Sequence, residues 1–340
     1  MFPIPVDAEL VGAHASELGQ LARDAEEAGF ARVWAPELYR SATIPLATAA
    51  AATERIEIAT GIALAFTRSP FVLALEALDL DELSRGRMIV GLGAGVRRLN
   101  ERWHAVAAYD PPVARMRDHI AAFREIVAAL AAGRDARSQG RYVDIHVAGY
   151  RRPVTAARER IPVWLAAVMP GMARLAGEVA DGFLDHPITT PEWLVDRLIP
   201  PIRAGADAAD RSTPEIAGGL IVAASADDPV AARHAAACTV GFYATVKTYE
   251  PLFQSHGFAE RLAPIRRAFM EGGHERLAEA VGDEMTDRFA AAGTPEEVRA
   301  RAMAFVGVVD RLWLTPPHHL QTPHDTVRWQ GGILETFRRA

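Results

Sequence analysis

Short apolar segments alternate with longer amphipathic segments along most of the chain. In residues 15–28, apolar residues recur at helical spacing on one face and charged residues occupy the other, which predicts an amphipathic helix. Gly29 follows, and glycine commonly ends a helix because it adopts the left-handed conformation without strain. The next segment, Arg32–Ala35, is short and largely apolar, which predicts a buried strand. Strands that alternate with helices in this way indicate a parallel sheet.

The same pattern predicts seven strands and a weaker eighth near the N-terminus. The seven lie at Arg32–Ala35, Ile56–Ile62, Met88–Leu92, Pro162–Ala167, Gly182–Asp185, Ile216–Ala224 and Val308–Leu314, and the weaker one lies at Phe2–Val6. Eight strands would close a (β/α)8 TIM barrel, whereas seven would fit an open, doubly wound α/β sheet. The barrel is favoured because none of the predicted strands shows the protective chemistry that the edge of an open sheet needs.

Two segments interrupt the alternation. Residues 133–161 are polar and irregular, with one short predicted strand at Tyr142–His146. Residues 228–292 are predicted to be helical and contain no clear strand. They follow strands 4 and 7, and we interpret them as insertions into a single domain that spans residues 1–340. Substrate specificity is expected to lie in these two insertions.

Composition and charge narrow the class of protein. The 340 residues include 37 basic and 43 acidic side chains, and this net charge of −6 argues against general binding of nucleic acid. Cys238 is the only cysteine, which excludes an intrachain disulfide and a cysteine-based zinc site and suits a reducing compartment. The N-terminus lacks the features of a secretion signal, and no run of about 18 apolar residues would span a membrane. We therefore expect a cytoplasmic protein that acts on a small molecule.

Two loop motifs are candidates for binding. In a barrel of this kind the active site is built from the loops at the carboxyl ends of the strands. Gly91-x-Gly-x-Gly95 follows a strand, and its glycines either let the backbone approach a ligand or form a tight turn. Residues 168–172 precede a helix whose first N–H groups could bind phosphate, although many helices begin this way and bind nothing.

Three side chains are candidates for catalysis. Glu37 directly follows a strand, so it is a candidate proton donor or orienting group, or else a solvated surface residue. Tyr39 and His186 also follow strands, and a hydrogen bond to the backbone is the alternative role for His186. His318-His319 suggests a metal site, but adjacent histidines seldom share one ion and no HExxH pairing is present, so no metal is predicted. Neither a P-loop nor a Gly-x-Ser-x-Gly elbow occurs.

Several longer motifs resemble the bacterial-luciferase-like superfamily, and they follow the order found in that family. These motifs are Leu21–Phe30, Val33–Glu37, Ala51–Ile62, Leu83–Gly95 and Ala176–Gly182. Within the superfamily, Phe66–Pro70 and Asp185–Trp193 are most similar to the deazaflavin branch. That branch uses coenzyme F420 and includes methylenetetrahydromethanopterin reductase.

The resemblance implies a set of cofactor contacts and a homodimer. It implies a non-proline cis peptide at Gly61-Ile62 that bulges against the deazaflavin ring. It also implies that the phosphate and side chain of the cofactor are held by the loops after strands 4 and 5. The implied cofactor-binding residues are Gly61, Ile62, Thr67, Gly93, Ala94, Gly95, Val96, Ala167, Val168, Met169, Pro170, Gly171 and Met172.

Two departures from the family pattern affect the expected chemistry. Many members have a histidine after the acidic residue that ends strand two, but Leu38 follows Glu37 here. The sugar-phosphate dehydrogenases of the branch use a glutamate near the glycine loop, where this chain has Val96 and Arg97, so glucose-6-phosphate oxidation is disfavoured. The sequence therefore predicts a coenzyme F420-dependent oxidoreductase that reduces a C=C or C=N acceptor. An FMN-dependent luciferase-like monooxygenase and a non-catalytic flavin-binding protein are the alternatives.

Overall fold

Eight parallel strands close into a barrel in the computed structural model, which describes residues 1–11, 14–37, 40–107 and 109–339. The barrel strands, numbered along the chain, are β1 (Val6–Glu9), β2 (Arg32–Ala35), β3 (Glu57–Thr60), β4 (Met88–Gly93), β5 (Val163–Ala166), β6 (Gly182–Leu184), β7 (Glu215–Ala224) and β8 (Arg311–Thr315). Each strand pairs with the next, and β8 pairs with β1 through Leu312 and Val6. The predicted (β/α)8 barrel is confirmed, and the open sheet is excluded.

The first strand is the one that the hydrophobic pattern located least well. It was predicted at Phe2–Val6, but it begins at Val6. Its alternate residues Asp7 and Glu9 are 0% and 3% exposed, and the Asp7 carboxylate accepts a hydrogen bond from the Trp34 indole at 3.0 Å. Because polar side chains occupy the inward positions of this strand, it lacks the apolar run by which the other strands were recognised.

Helices connect the strands and cover the barrel. Their bounds are Leu18–Glu27, Thr43–Ala52, Pro70–Leu83, Arg97–Trp103, Pro112–Ala131, Pro170–Val179, Pro191–Trp193, Ile199–Ala208, Pro229–Ala244, Glu250–Ser255, Leu262–Met270, His274–Phe289, Pro295–Ala302 and Pro323–Phe337. Ser69 and Thr190 cap helices, since their side chains accept from the amides of Val72 and Trp193. Thr294 and Glu297 form a capping box, since the side chain of each accepts from the backbone amide of the other residue. Among the described helices, none is long and apolar enough to cross a membrane.

The segment of residues 133–161, between helix Pro112–Ala131 and β5, packs on the outside of the helices. Its predicted single strand is an antiparallel hairpin of Ala136–Gln139 and Asp144–Val147. The hairpin lies against helix Pro112–Ala131, where the Tyr142 amide donates to Asp118 at 2.7 Å. These contacts are with the outer helices rather than with the strand ends. The structure therefore gives no support to the expectation that residues 133–161 shape substrate specificity.

The segment between β7 and β8 contains a strand that the sequence pattern missed. Residues Ala290–Gly293 pair in parallel with Ile221–Ala224 of β7, so the prediction that 228–292 has no strand is wrong. Three consecutive alanines after a helix favour more helix by propensity alone. Here pairing with β7 and complete burial override that propensity, as tertiary context commonly does for small residues in sheets.

Tryptophan side chains fill the middle of the barrel. The rings of Trp34 and Trp164 meet edge-on with their centroids 5.4 Å apart. The Trp313 indole donates to the carbonyl of Asp185 at 2.9 Å, and Gly182 leaves space that the Trp164 ring occupies. Because this part of the interior is packed, a ligand has room only towards the carboxyl ends of the strands.

Two helical glycines provide a matched test of this packing. A Cβ on Gly177 would overlap the Ile202 carbonyl of helix Ile199–Ala208, whereas one on Gly331 meets nothing within 4 Å. Gly177→Ala is therefore expected to lower the free energy of unfolding by about 1–3 kcal/mol. Gly331→Ala is expected to raise it by up to about 1 kcal/mol, because alanine favours the helix. Urea unfolding of both variants measures the difference, and equal effects would contradict this account.

Candidate active site at the carboxyl ends of the strands

The chain after β3 forms a bulge. Ala59 pairs with Ile89 of β4, but Ala63 pairs with Leu92. The segment from Ala59 to Ala63 therefore advances four residues while β4 advances three. The extra residue lies around Gly61. Bulges re-aim side chains next to binding sites, so this position is suited to shape the wall of a site.

The peptide between Gly61 and Ile62 differs from the one that the family resemblance implied. A cis bond was expected there, but among the described residues the cis bond is the one joining Asp110 and Pro111, so that expectation is wrong. The Gly61 amide donates to the Ala35 carbonyl at 2.7 Å, and the Ile62 carbonyl accepts from the Glu37 amide at 3.3 Å. These two hydrogen bonds connect the bulge to the end of β2, and the peptide between Gly61 and Ile62 is an ordinary trans peptide.

Packing of the bulge explains two of the glycines in the Gly91-x-Gly-x-Gly95 motif. A Cβ on Gly91 would overlap the Thr60 carbonyl, and a Cβ on Gly93 would overlap the Ile62 side chain. The Thr60 hydroxyl also bonds the Gly91 carbonyl at 2.7 Å. These glycines thus allow β4 to approach the bulge.

Two side chains that the sequence analysis missed hold the loop after β4. The Asn100 amide donates to the carbonyls of Ala94 and Val96 at 2.9 and 3.1 Å, and the Tyr109 hydroxyl donates to the Gly95 carbonyl at 2.8 Å. Gly95 has a φ of 65°, a conformation that glycine adopts without strain. The buried Asn100 Oδ1 has no hydrogen-bond partner within the described ranges. Buried polar atoms usually have a partner, so this oxygen is a candidate acceptor for a ligand group.

Residues 167–172 lead from β5 into helix Pro170–Val179. Ala167 is buried, Val168 and Met172 are half-buried, and Met169, Pro170 and Gly171 are exposed. No side chain among the described residues caps this helix, and its first backbone bond runs from the Ala173 amide to the Met169 carbonyl at 3.2 Å. The amides of Gly171 and Met172 precede that bond, so they are available to an anion.

Glu37 is held by partners that suit an orienting role. Its Oε2 accepts from the Leu64 amide at 2.7 Å, and its Oε1 pairs with the Arg68 guanidinium. Both oxygens therefore act as acceptors, which favours orientation over proton donation. The Thr67 hydroxyl donates to the Leu64 carbonyl at 2.9 Å. Tyr39, the second catalytic candidate, lies outside the described residues.

Glu9, at the end of β1, is a buried carboxyl that sequence reasoning did not select. Burial raises its pKa to about 8, so the group is largely protonated at neutral pH. The Thr315 hydroxyl, at the end of β8, donates to its Oε2. The detectable signal was the pair of acidic residues at alternate positions, Asp7 and Glu9, in a segment beside predicted strands.

Asp185 is a second buried carboxyl with a pKa raised by burial to about 8. Its side chain bonds the Thr189 hydroxyl, and its carbonyl accepts from Trp313 in the barrel interior. These contacts tie the end of β6 to the packed core. Asp185 and Glu9 are therefore both protonated at neutral pH, and the contacts of Asp185 with the packed core favour a structural role for it.

His186 follows β6 and contacts the helical segment after β7. Its Nδ1 accepts from the Ile188 amide at 3.2 Å, and its Nε2 lies 3.0 Å from the Tyr249 hydroxyl. Burial, assisted by the nearby His318, lowers the pKa of His186 to about 3, so its ring is neutral at physiological pH. The structure thus pairs this predicted candidate with Tyr249, a residue that the sequence pattern did not identify.

The adjacent histidines after β8 have protein partners. His318 Nδ1 bonds the Pro316 carbonyl at 3.2 Å, and the His319 ring stacks on Phe242 with centroids 3.7 Å apart. Burial lowers their pKa values to about 4 and about 2. In the part of the chain that the structure describes, no three histidine, cysteine or acidic side chains converge as they would around a metal ion.

Comparisons with known sequences agree with the resemblance noted from the motifs. The profile of the luciferase-like monooxygenase family matches residues 1–311. An uncharacterised protein of Mycobacterium tuberculosis is 33% identical over 309 residues, which cover 86% of this chain and 89% of that protein. The 5,10-methylenetetrahydromethanopterin reductase of Methanolobus tindarius is 28% identical over 302 residues, covering 88% of this chain and 87% of the reductase.

Solved structures with the same fold include enzymes of two cofactor classes. The coenzyme F420-dependent tetrahydromethanopterin reductase of Methanopyrus kandleri superposes with a TM-score of 0.83 and 22% identity over 98% of this chain and 99% of the reductase. The oxygenating constituent of 3,6-diketocamphane monooxygenase from Pseudomonas putida, in complex with FMN, superposes with a TM-score of 0.69 and 17% identity. The match covers 100% of this chain and 97% of that chain. At these identities the similarity establishes the fold alone.

Proposed function

The chain belongs to the luciferase-like monooxygenase family, and from that premise we propose that it is a coenzyme F420-dependent reductase of a small acceptor. The bond reduced is a C=C or C=N bond of an unsaturated molecule. The sequence relationship to a methylenetetrahydromethanopterin reductase, which extends over 88% of this chain, supports the proposal. A homodimer remains a prediction from the family resemblance.

The observation that carries the proposal is the uncapped start of helix Pro170–Val179. Four other helices that follow barrel strands are capped by the side chains of Ser69, Thr190, Asp228 and Thr322. The helices after β1, β2 and β4, like the one after β5, begin without a side-chain cap from the described residues. The helix after β5 has an exposed glycine, Gly171, at its second position, and the amides of Gly171 and Met172 precede its first backbone bond. Such a start suits the phosphate group of a bound cofactor.

The contacts at the neighbouring strand ends support placing a flat ring system there. Ile62 and the bulge form one wall beside Gly93, and the loop 94–96 is held in place by its own side-chain bonds. Asn100 Oδ1 lies at this loop as a buried acceptor without a partner in the described part of the chain. A deazaflavin ring has N–H groups that such an acceptor can bind. We therefore assign the ends of β3, β4 and β5 to the cofactor.

The remaining strand ends supply groups for the acceptor. When bound, reduced F420 supplies a hydride from C5 to the unsaturated carbon. Glu9 holds a proton at neutral pH and delivers it to the adjacent atom, which completes the reduction. The Thr315 hydroxyl orients the Glu9 carboxyl, and Glu37 orients the loop after β3 through Leu64 and Arg68.

Binding measurements separate the candidate cofactors. Purified protein is titrated with F420, FMN and nicotinamide cofactors, and the loss of deazaflavin or flavin fluorescence gives each affinity. We expect F420 to bind and FMN to bind far more weakly. Tight FMN binding without F420 binding would contradict the proposal and favour the FMN-dependent monooxygenase. F420 binding without turnover across varied acceptors would favour a non-catalytic flavin-binding protein.

The orienting role of Glu37 makes a separate prediction. Glu37→Gln keeps an oxygen for the Leu64 amide but leaves Arg68, which is 15% exposed, without its closest charged partner. The free energy of unfolding is expected to fall by about 1.5–3 kcal/mol. The pH dependence of single-turnover hydride transfer should be unchanged, because Glu37 accepts hydrogen bonds and does not donate the proton.

Glu76→Gln is the matched control for this variant. Glu76 contacts the same guanidinium at a longer distance of 3.5 Å, so its loss should cost less stability. Stopped-flow traces across pH and urea unfolding provide the two readouts. If Glu37→Gln removed a limb of the pH profile, Glu37 would be the acid and the orienting role would be refuted.

A further inference from the structure

Six rings form a connected group at the ends of β6 and β8. We call this group the aromatic cluster, and its members are His186, Phe242, Tyr243, Tyr249, His318 and His319. Tyr243 meets the rings of His186 and His319 edge-on, each with centroids 4.9 Å apart. His186 lies 4.8 Å from Tyr249 on the other side. The cluster thus connects two strand ends to the helical segment after β7, opposite the ends of β3 to β5.

Hydrogen bonds orient the Tyr249 hydroxyl. The Ile188 amide donates to His186 Nδ1, so the neutral ring carries its proton on Nε2. That N–H donates to the Tyr249 oxygen at 3.0 Å. Because the tyrosine oxygen accepts this bond, its own hydrogen is available to donate to another group. Burial raises the pKa of Tyr249, which keeps the hydroxyl protonated.

The cluster is uncharged at neutral pH. Burial is the main cause of the lowered pKa values of His186, His318 and His319. The smaller influences on these rings come from one another and from the Pro316 carbonyl. A charged ligand placed against these rings would lose its hydration without gaining a counterion from the six side chains.

We propose that the aromatic cluster binds the acceptor, and that the acceptor is an uncharged, planar, conjugated carbonyl compound whose oxygen accepts a hydrogen bond from Tyr249. This inference rests on the proposed function, which supplies the hydride. Aromatic rings bind flat conjugated molecules by stacking and edge-on contacts, and Tyr249 fixes the carbonyl end. Tyr249 therefore contacts the substrate, and His186 is a positioning residue that acts through it.

Calorimetric titration with coumarin tests the inference. Coumarin is an uncharged planar compound with a conjugated carbonyl group, and coumarin-3-carboxylate is its anionic counterpart. The wild-type protein should bind coumarin and should bind the carboxylate at least about tenfold more weakly. Tyr249→Phe should weaken coumarin binding by up to about tenfold, because it removes one hydrogen bond and keeps the ring. Tyr142→Phe, in the outer hairpin, is the control and should leave binding unchanged.

The outcomes separate this inference from the proposed function. F420 affinity is measured on the same samples, and it should be equal in wild type and Tyr249→Phe. Equal binding of coumarin and its carboxylate would overturn the inference, as would undiminished coumarin binding by Tyr249→Phe. Failure of the wild type to bind F420 would instead overturn the proposed function. The comparison of the two coumarins uses the wild type alone, so it does not depend on the folding of any variant.

Discussion

Glu9→Gln is expected to lower kcat for acceptor reduction by about 10²–10⁴-fold, the usual contribution of a general acid. Glutamine keeps the shape of the side chain and an oxygen for the Thr315 hydroxyl, but it has no acidic proton. In the wild type, kcat should fall about tenfold per pH unit above the Glu9 pKa of about 8, because the donor loses its proton there. In Glu9→Gln this alkaline limb should be absent.

Asp185→Asn is the matched control for the loss of a buried carboxyl. Asp185 has a similarly raised pKa of about 8, but its carboxyl bonds the Thr189 hydroxyl and its backbone carbonyl accepts from the Trp313 indole of the core. This variant should lose stability and retain the alkaline limb. Steady-state and single-turnover rates are measured between pH 6 and about pH 9.5. This pH range extends to both sides of the raised pKa, as a pH–rate profile requires. Full activity and an intact limb in Glu9→Gln would exclude Glu9 as the donor.

Protein stability gives an independent readout of the same carboxyl. The pKa of Glu9 is raised by burial from 4.5 to about 8, so the folded state holds this proton more tightly than the unfolded state. Its stabilising contribution is complete below about pH 4.5 and is lost as pH rises through about 8. Glu9→Gln should therefore lose less stability than the wild type between pH 6 and pH 9. Urea unfolding at these two pH values measures this difference apart from catalysis.

Gly171→Asp is expected to weaken F420 binding by about tenfold to hundredfold, which corresponds to about 1.4–2.8 kcal/mol. A carboxylate in the first turn of helix Pro170–Val179 would repel the cofactor phosphate and compete for the same amides. The side chain fits, because the nearest atom to a Cβ at this position is Val113 Cγ2 at 3.8 Å. Its charge also suits the helix dipole, so folding should not suffer.

Gly171→Asn separates charge from size. Asparagine has nearly the same shape as aspartate but no charge, so it should weaken F420 binding much less. High salt should restore part of the affinity of Gly171→Asp, since screening reduces the repulsion. Deazaflavin fluorescence titrations at low and high salt provide the comparison. Equal affinities for the two variants would place the phosphate elsewhere.

The motifs of the candidate site were recognisable in the sequence because they depend on local backbone conformation. A glycine loop after a strand and a helix that begins at Pro170 are local features of the chain. The side chains that complete the site were not visible in this way. Asn100 is an ordinary polar residue in a short helix, and it becomes informative only when its Oδ1 is buried without a partner in the described structure. Tyr249 similarly acquires a role only through His186, a residue 63 positions away.

By itself, the sequence determined the alternation of strands and helices and the order of the family motifs, since these depend on near neighbours along the chain. Only the tertiary structure decided what depends on distant contacts. Barrel closure required β1 to pair with β8, across the length of the chain. Pairing with β7 made a strand of Ala290–Gly293, against its alanine propensity. Burial at the barrel end, which no local pattern records, raised the pKa of Glu9 and lowered that of His186.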